Sequence, residues 1–377
     1  MNKIKVLHVY KTCHKYSKGG MEEVLQQLCL ATNTLSVQNR IICLNKECKK
    51  KEINIIDGTE IICYPQNFEI ASCGFSWQLW WDFKQHMQWA SIVHYQFPWP
   101  FADILSLTHK KIKPYVISYQ SDIVRQKGLK FIYQPLMNYF LRHADAVVGT
   151  SPDYIESSVV LNKFKNKTIM IANGMAPISG DLNYQQELEQ YQQEFPDDFF
   201  LFIGVFRYYK GIQYLLEAAR KNKYPILIVG DGKDAEIFKD YKNQYNLQHV
   251  YFLGQVNEVQ KYALIELAKA LILPASERSE AYGMVLVEAA RQGTPMISTE
   301  LGSGTSYINK HKQTGWVIPA KDSEALATAM KFFNDNQEVV VSMGVAAEHH
   351  YQKEFTVAKM AKEYRALYCK ILDCSES

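Results

Sequence analysis

The sequence predicts an α/β protein made of two Rossmann-like, doubly wound domains in tandem, facing a central cleft. Three observations carry that expectation. Short β-branched runs alternate with helix-periodic segments along the chain, the pattern of parallel βαβ units. The alternation pauses at Asn173-Gly174-Met175-Ala176-Pro177 and a Gln/Glu-rich stretch running to Pro196, where a hinge is expected, and then restarts. The length of 377 residues suits two domains at a prior of about 150 residues each.

The first domain, residues 1–175, has strand candidates at 3–10, 38–44, 59–64, 91–96, 113–119, 145–149 and 167–172. Met21, Val24, Leu25 and Leu28 recur at i, i+3, i+4 and i+7, so a helix follows the first strand. The second domain, residues 176–354, has strands expected near 199–205, 225–230, 249–253, 270–275 and 294–299, with helices between them. A last helix, about 355–377, carries Ala358, Ala361, Tyr364, Leu367 and Tyr368 and can pack on either domain, including back on the first. Ligands of doubly wound sheets bind outside the carboxyl ends of the strands, so functional residues are expected in the loops that follow them.

A hydrophobic content of 47%, with 21% charged residues and a net charge of +3, excludes a disordered chain or a polybasic nucleic-acid binder. No apolar run approaches the ~18 residues of a membrane span. Met1–Val9 reads as a strand without the apolar core of a signal peptide. A soluble enzyme of cytoplasmic type is expected. The charge is uneven: residues 1–175 hold 21 Lys/Arg against 13 Asp/Glu, a net +8, and residues 176–377 hold 21 against 26, a net −5. One half is thus suited to an anionic partner, unless the split is ordinary surface variation. The eight cysteines form no C-x-x-C and no zinc spacing; reduced thiols are expected.

Four loops stand out. Gly19-Gly20, between the first strand and first helix, either lets backbone N–H groups approach an anion or is a plain loop. Arg207-Tyr208-Tyr209-Lys210-Gly211 puts two cations after a strand and before a helix, a cradle for a diphosphate. Gly230-Asp231-Gly232-Lys233-Asp234-Ala235 matches G-x-G-x-x-A, but it lies deep in the second half and the later acid Glu258, at a helix start, suits a ribose contact poorly. A tight strand-to-helix turn is the better reading than dinucleotide binding. Glu280 and Glu288 are the strongest candidates. Glu288 stands among Met284, Val285, Leu286, Val287, Ala289 and Ala290, where a carboxylate needs a hydroxyl, a cation or a cleft; Arg291 is the obvious structural partner. Glu280 precedes the same helix, and Gly302-Ser303-Gly304-Thr305-Ser306 follows the next strand with further backbone donors.

The segment Ser279–Ala290, with Gly293-Thr294-Pro295, closely resembles the E-x7-E signature of retaining glycosyltransferases of family 4, which have the GT-B fold. Gly19-Gly20-Met21-Glu22 resembles that family's GGxE loop, Tyr209-Lys210-Gly211 its phosphate-binding lysine and Gly230-Asp231-Gly232 its GDG turn. Tyr119–Lys127 and Gly302–Tyr307 look most like bacterial mannosyl- and rhamnosyltransferases of O-antigen and related polysaccharide assembly. The resemblance implies that Glu288 holds the ribose hydroxyls of a nucleotide sugar and that Glu280 faces the transferred sugar. Tyr282, Gly283, Met284 and Val285 would bind sugar and phosphate through backbone groups, with Gly19 and Gly20 also at the donor. Arg207 and Lys210 would stabilise the departing diphosphate. Transfer with retention through an oxocarbenium-like transition state follows, with preorganised positive charge as the main device. No Asp-x-Asp pair occurs, so no metal and no cofactor are expected; the donor, GDP-mannose first, is a substrate.

Two departures matter. Many members place the arginine five residues before the lysine; Val205 stands there, and Arg207 is three before. The motif after Tyr119 usually carries His, and this chain has Gln120, which donates a hydrogen bond but takes up no proton. Asp122 and Arg125 are further polar candidates for sugar or acceptor contacts. These departures leave room for a non-catalytic nucleotide-sugar-binding subunit; an epimerase or phosphorylase on the same fold is a third reading. Trp77, Trp80, Trp81, Trp89 and Trp99, with the aromatic and basic helix 130–142, suit a peripheral enzyme meeting a saccharide or polyprenyl-diphosphate-linked acceptor at the cytoplasmic face of the inner membrane, or else fill the first domain's core.

Overall fold

The computed structural model describes residues 3–17, 19–70, 73–109, 111–123, 127–178, 184–195 and 198–374, with the backbone alone for 127–132. It divides into two units, residues 1–176 with 357–377, and residues 177–356.

The first unit contains β1 (Ile4–Val9), β2 (Val37–Asn45), β3 (Glu52–Ile56), β4 (Thr59–Pro65), β5 (Phe68–Ile70), β6 (Cys73–Phe75), β7 (Ile92–Phe97), β8 (Tyr115–Tyr119), β9 (Ala146–Gly149) and β10 (Thr168–Met170). Its main sheet runs β10-β9-β8-β7-β1-β2-β4-β3, parallel except that β3 pairs antiparallel with β4. β7, β8 and β9 are buried throughout, as parallel strands covered on both faces must be. Strand order reverses between β1 and β7, so the loops after these two strands flank the crevice where such sheets bind ligands. The C-terminal helix Val357–Ile371 belongs to this unit and packs on helix Gly20–Asn33, with Tyr364 and Tyr368 buried.

Three strands of this unit, β3, β5 and β6, lie outside the expected set. β3 had a visible signal: Asp57 and Gly58, both with positive φ, make the two-residue turn that folds Ile53–Ile56 back on β4. The tryptophans divide. Trp99 is 1% exposed and belongs to the core, whereas Trp77 and Trp81 on helix Trp77–Trp89 are 60% and 73% exposed. Four cysteines that are scattered in sequence meet on one face of β2 and β4: the Cys13 and Cys43 sulfurs are 3.5 Å apart and those of Cys48 and Cys63 3.3 Å. They are free thiols within an apolar cluster.

The second unit is a six-stranded, wholly parallel sheet of β11 (Phe200–Ile203), β12 (Ile226–Val229), β13 (Val250–Gly254), β14 (Ala270–Leu273), β15 (Met296–Glu300) and β16 (Gly315–Pro319). Its order is β13-β12-β11-β14-β15-β16, so the reversal lies between β11 and β14. β16 was not expected from the sequence. The Gln/Glu-rich stretch expected at the hinge is instead helical over Tyr184–Glu194, and this helix packs on helix Glu258–Leu267 with Tyr191 buried. The core is aromatic and aliphatic: Phe200, Phe202, Ile226, Ile228 and Ile272 from the strands against Leu215, Leu216, Met330 and Phe333 from the helices. No described helix is long and apolar enough to cross a membrane.

Candidate active site

The reversal of strand order in the second unit brings the loop after β11 beside the loop after β14, and Arg207, Lys210, Glu280, Tyr282 and Gly283 lie on these two loops, with Met284, Val285 and Glu288 on the helix that follows. The chain leaves β11 through Gly204, turns over Tyr208–Lys210 in one 3-10 turn, and enters helix Ile212–Ala219 through Gly211. Gly211 has φ of 75°, and a Cβ there would stand 1.8 Å from the Pro274 carbonyl oxygen. The Ser276 amide donates to the Tyr209 carbonyl at 2.7 Å. The two loops are therefore locked together, and glycine is required at the contact.

This lock places Lys210 Nζ 2.6 Å from Glu280 Oε2, both largely buried. Burial pushes the lysine pKa down, but the Glu280 carboxylate outweighs it and the net shift is upward; Arg207 acts in the opposite sense on the same ammonium. Arg207 is exposed at the mouth of the turn, and Val205 is 55% exposed.

After Glu280 the chain passes Ala281 and the buried Tyr282, takes φ of 88° at Gly283, and starts helix Met284–Arg291. The Gly302–Ser306 loop closes over this start: the Gly304 amide donates to the Ala281 carbonyl at 2.9 Å, and a Cβ on Gly304 would lie 2.5 Å from the Tyr282 ring. Arg278 donates to the Gly302 carbonyl at 2.9 Å. The first amides of a helix have no intrahelical acceptor, so Met284 and Val285 lie where backbone donors meet an anion.

Glu288 is buried on this helix, and a lysine of a neighbouring helix is bonded to it. Lys261, on helix Glu258–Leu267, donates to Glu288 Oε1 at 3.0 Å and to Glu258 at 3.2 Å. Burial lowers the Lys261 pKa, and the Glu288 and Glu258 carboxylates more than reverse that, so it is raised. The Arg291 guanidinium lies over the Tyr262 ring, 4.5 Å from its centroid. Lys261 had no signal in the sequence, where it is one more lysine on a polar helix. The GDG turn is a packing device: a Cβ on Gly230 would stand 2.0 Å from the Gly204 carbonyl, and one on Gly232 2.4 Å from that of Phe206.

In the first unit Gly19 caps helix Gly20–Asn33 with extended backbone, and the buried Glu22 carboxylate folds back to where a Gly19 Cβ would sit. Gln120 follows β8 and is buried. Its Nε2 donates to Gln96 at 3.3 Å and its Oε1 accepts from Asn173 at 3.1 Å. Asp122 is held by Tyr119 and Ser158 at 2.8 and 2.9 Å, and its amide donates to Tyr154. Arg125 lies outside the described residues. His94 and Gln96 were missed in the sequence, although two polar residues at i and i+2 in an otherwise apolar buried strand were the available signal.

The family model described as Glycosyltransferase Family 4 matches residues 18–177, and that described as Glycosyl transferases group 1 matches residues 184–350. The chain is 37% identical to the O-antigen chain mannosyltransferase C of Escherichia coli over 98% of its own length and 99% of that protein's. It is a family 4 glycosyltransferase. The enzyme is also 37% identical to the D-rhamnosyltransferase WbpZ of Pseudomonas aeruginosa, over 94% of its own length and 92% of the relative's. Among solved structures, sucrose-phosphate synthase from Thermosynechococcus elongatus matches with a TM-score of 0.79 at 18% identity, covering 99% of this chain and 100% of that one. Anabaena HepE in complex with UDP-glucose matches with 0.74 at 15%, covering 97% and 100%. At such identities the likeness is one of fold, and the glycosyltransferase has the GT-B fold.

Proposed function

We propose that the enzyme transfers a hexose, mannose from GDP-mannose first, to a saccharide or polyprenyl-diphosphate-linked acceptor in O-antigen and lipopolysaccharide assembly, with retention at the anomeric carbon and without a metal ion. The names of the two relatives at 37% identity, a mannosyltransferase and a rhamnosyltransferase, support the sugar class. The observation that carries the chemistry is the buried Lys210–Glu280 pair at the reversal of the second sheet. A nucleoside diphosphate arriving there competes with Glu280 for the ammonium. Lys210 and Arg207 then hold the leaving diphosphate, and Glu280 turns to the sugar hydroxyls. The bond from the anomeric carbon to the diphosphate oxygen breaks, and the acceptor hydroxyl oxygen bonds that carbon on the same face. The hydroxyl proton leaves with the diphosphate. Fixed positive charge stabilises the leaving group most where its negative charge develops. Glu288, oriented by Lys261, takes the ribose hydroxyls. The backbone amides of Tyr282, Gly283, Met284 and Val285 take phosphate and sugar oxygens. The Gly19 and Gly20 amides of the first unit are donors for a substrate oxygen in their own right.

Calorimetric titration of the purified protein with GDP, UDP and ADP tests the donor site. Tightest binding of GDP is expected, and no binding of any of the three rejects it. Gln120, where relatives of this type carry His, favours one second reading, a binding subunit without transferase activity; transfer or donor hydrolysis by the purified protein decides between them. The exposed Trp77 and Trp81, with Phe68 packed against Trp77, support a peripheral site of action at the cytoplasmic face of the inner membrane.

A further inference from the structure

Behind Gln120 runs a continuous buried chain of polar groups within the first unit. Gln120 Nε2 donates to Gln96 Oε1 at 3.3 Å. Gln96 Nε2 meets His94 Nε2 at 3.3 Å, and the same imidazole nitrogen is 2.7 Å from Ser118 Oγ. His94 Nδ1 is 2.7 Å from the Tyr368 hydroxyl, and Ser118 Oγ is 2.7 Å from that of Tyr364. The far end of the chain is thus the C-terminal helix.

The chemistry of these groups gives the chain a direction. An amide nitrogen has only N–H groups to offer, so Gln96 Nε2 must donate to His94, and His94 Nε2 is a lone pair. Burial, reinforced by the neighbouring His8, pushes the His94 pKa well below its ordinary value, so the ring is neutral and carries one proton. That proton is on Nδ1 and goes to Tyr368. Ser118 donates to His94 Nε2, and Tyr364 donates to Ser118. With Gln96 Nε2 committed to His94, Gln96 Oε1 faces Gln120 and accepts one of its two amide protons. Gln120 Oε1 is filled by Asn173. Among the described residues, the second Gln120 N–H meets no acceptor.

We propose that His94 and Gln96, anchored by Tyr364 and Tyr368, are positioning residues that hold the Gln120 amide with one N–H directed to a substrate oxygen, a phosphoryl oxygen or a sugar hydroxyl. The inference rests on the reading of Gln120 as a substrate contact. It makes Gln120 a hydrogen-bond donor of fixed orientation, in contrast to a residue that exchanges a proton.

Three variants of the full-length enzyme test it. Gln96→Leu removes the acceptor that orients Gln120 and lowers kcat about tenfold, the worth of one misdirected hydrogen bond, with donor KM little changed. Gln96→Glu keeps one oxygen facing Gln120 while the other accepts from His94, whose ring moves its proton from Nδ1 to Nε2 as the Tyr368 hydroxyl turns to donate to Nδ1, and kcat recovers to within about threefold of the parent. Gln120→Glu offers no N–H and falls with Gln96→Leu. A Gln96→Glu enzyme as slow as Gln96→Leu overturns the proposal, because the chain then runs in the opposite sense. An unchanged kcat in Gln96→Leu overturns it as well. Imidazole nitrogen shifts of labelled enzyme give a readout independent of activity and of variant folding: the His94 proton is expected on Nδ1, and finding it on Nε2 overturns the assignment. Nucleotide titration of the Gln96→Leu and Gln96→Glu variants is expected to match the parent, whereas absence of nucleotide binding by the parent itself marks a failure of the donor-site reading.

Discussion

Lys210 and Glu280 neutralise one another inside the second unit, so truncating either leaves a buried charge without its partner. Lys210→Ala is expected to lower kcat by on the order of a hundredfold, by loss of leaving-group stabilisation. Lys210→Arg should recover only part of this, because a planar guanidinium does not fit a point-charge site. Steady-state kinetics with thermal melts separate the catalytic loss from unfolding, and a Lys210→Ala enzyme of parental kcat removes the proposed role. For Glu288, substitution by Ala should weaken nucleotide binding roughly tenfold, about one charge-assisted hydrogen bond. Lys261→Met should do the same indirectly and also cost roughly 3 kcal/mol of stability, since it strands Glu288 in a buried site. Calorimetry on both variants checks this, and unaltered nucleotide affinity in Lys261→Met would detach that lysine from the donor site. At this scale the sequence was half legible. Two carboxylates in apolar surroundings announce themselves because their burial is costly. The cation that satisfies one of them does not, because nothing in its local pattern distinguishes Lys261 from a solvated lysine.

The elements that carry these residues are held by close approaches that only glycine allows. Gly211→Ala combines a positive φ with a Cβ 1.8 Å from the Pro274 oxygen, and the loop after β11 must then leave the loop after β14. A loss of roughly 2–4 kcal/mol is expected, together with loss of nucleotide binding. Melting curves and titration of the variant measure both, and a variant with parental melting and affinity contradicts the lock. The alternation of strands and helices was legible because every fully buried parallel strand is a run of apolar residues between turns. β5, β6 and β16 were not, because β5 and β6 are hairpin strands of three residues each and β16 is the short edge run Gly315–Pro319; in β3 half-exposed residues dilute the apolar signal and only the Asp57-Gly58 turn marks the strand. The helix Tyr184–Glu194 was read as linker for a related reason: among its eleven residues only Tyr191 is buried, and a polar helix resting on a neighbour has the composition of a tether.

The molecule as a whole should be more sensitive to acid in its first unit. His8 and His86 are buried and neutral, with pKa values lowered to about 4, and burial lowers that of His94 as well. Each binds a proton more readily unfolded than folded. Their stabilisation is therefore complete above the unfolded value of about 6.5 and drains away as pH falls towards about 4. A tenfold loss of proton affinity on folding is worth about 1.4 kcal/mol, so His8 alone accounts for about 3 kcal/mol. Melting temperature followed from pH 7 to pH 4.5 should fall, and His8→Phe should flatten the curve if it folds; a flat parental curve contradicts the assignment. On the exterior, Trp77→Glu with Trp81→Glu should abolish sedimentation with anionic vesicles and leave nucleotide affinity intact. Sedimentation equal to the parent excludes this face as the membrane contact. The return of helix Val357–Ile371 to the first unit has a consequence for how the protein is made. A ribosome finishes all of residues 177–356 before it releases the helix that buries Tyr364 and Tyr368, so the unit begun first is completed last. In the interval β7 and β8 lack the tyrosines that cover His94 and Ser118, and a stalled nascent chain should expose the earlier-made half to protease while the later-made half resists it.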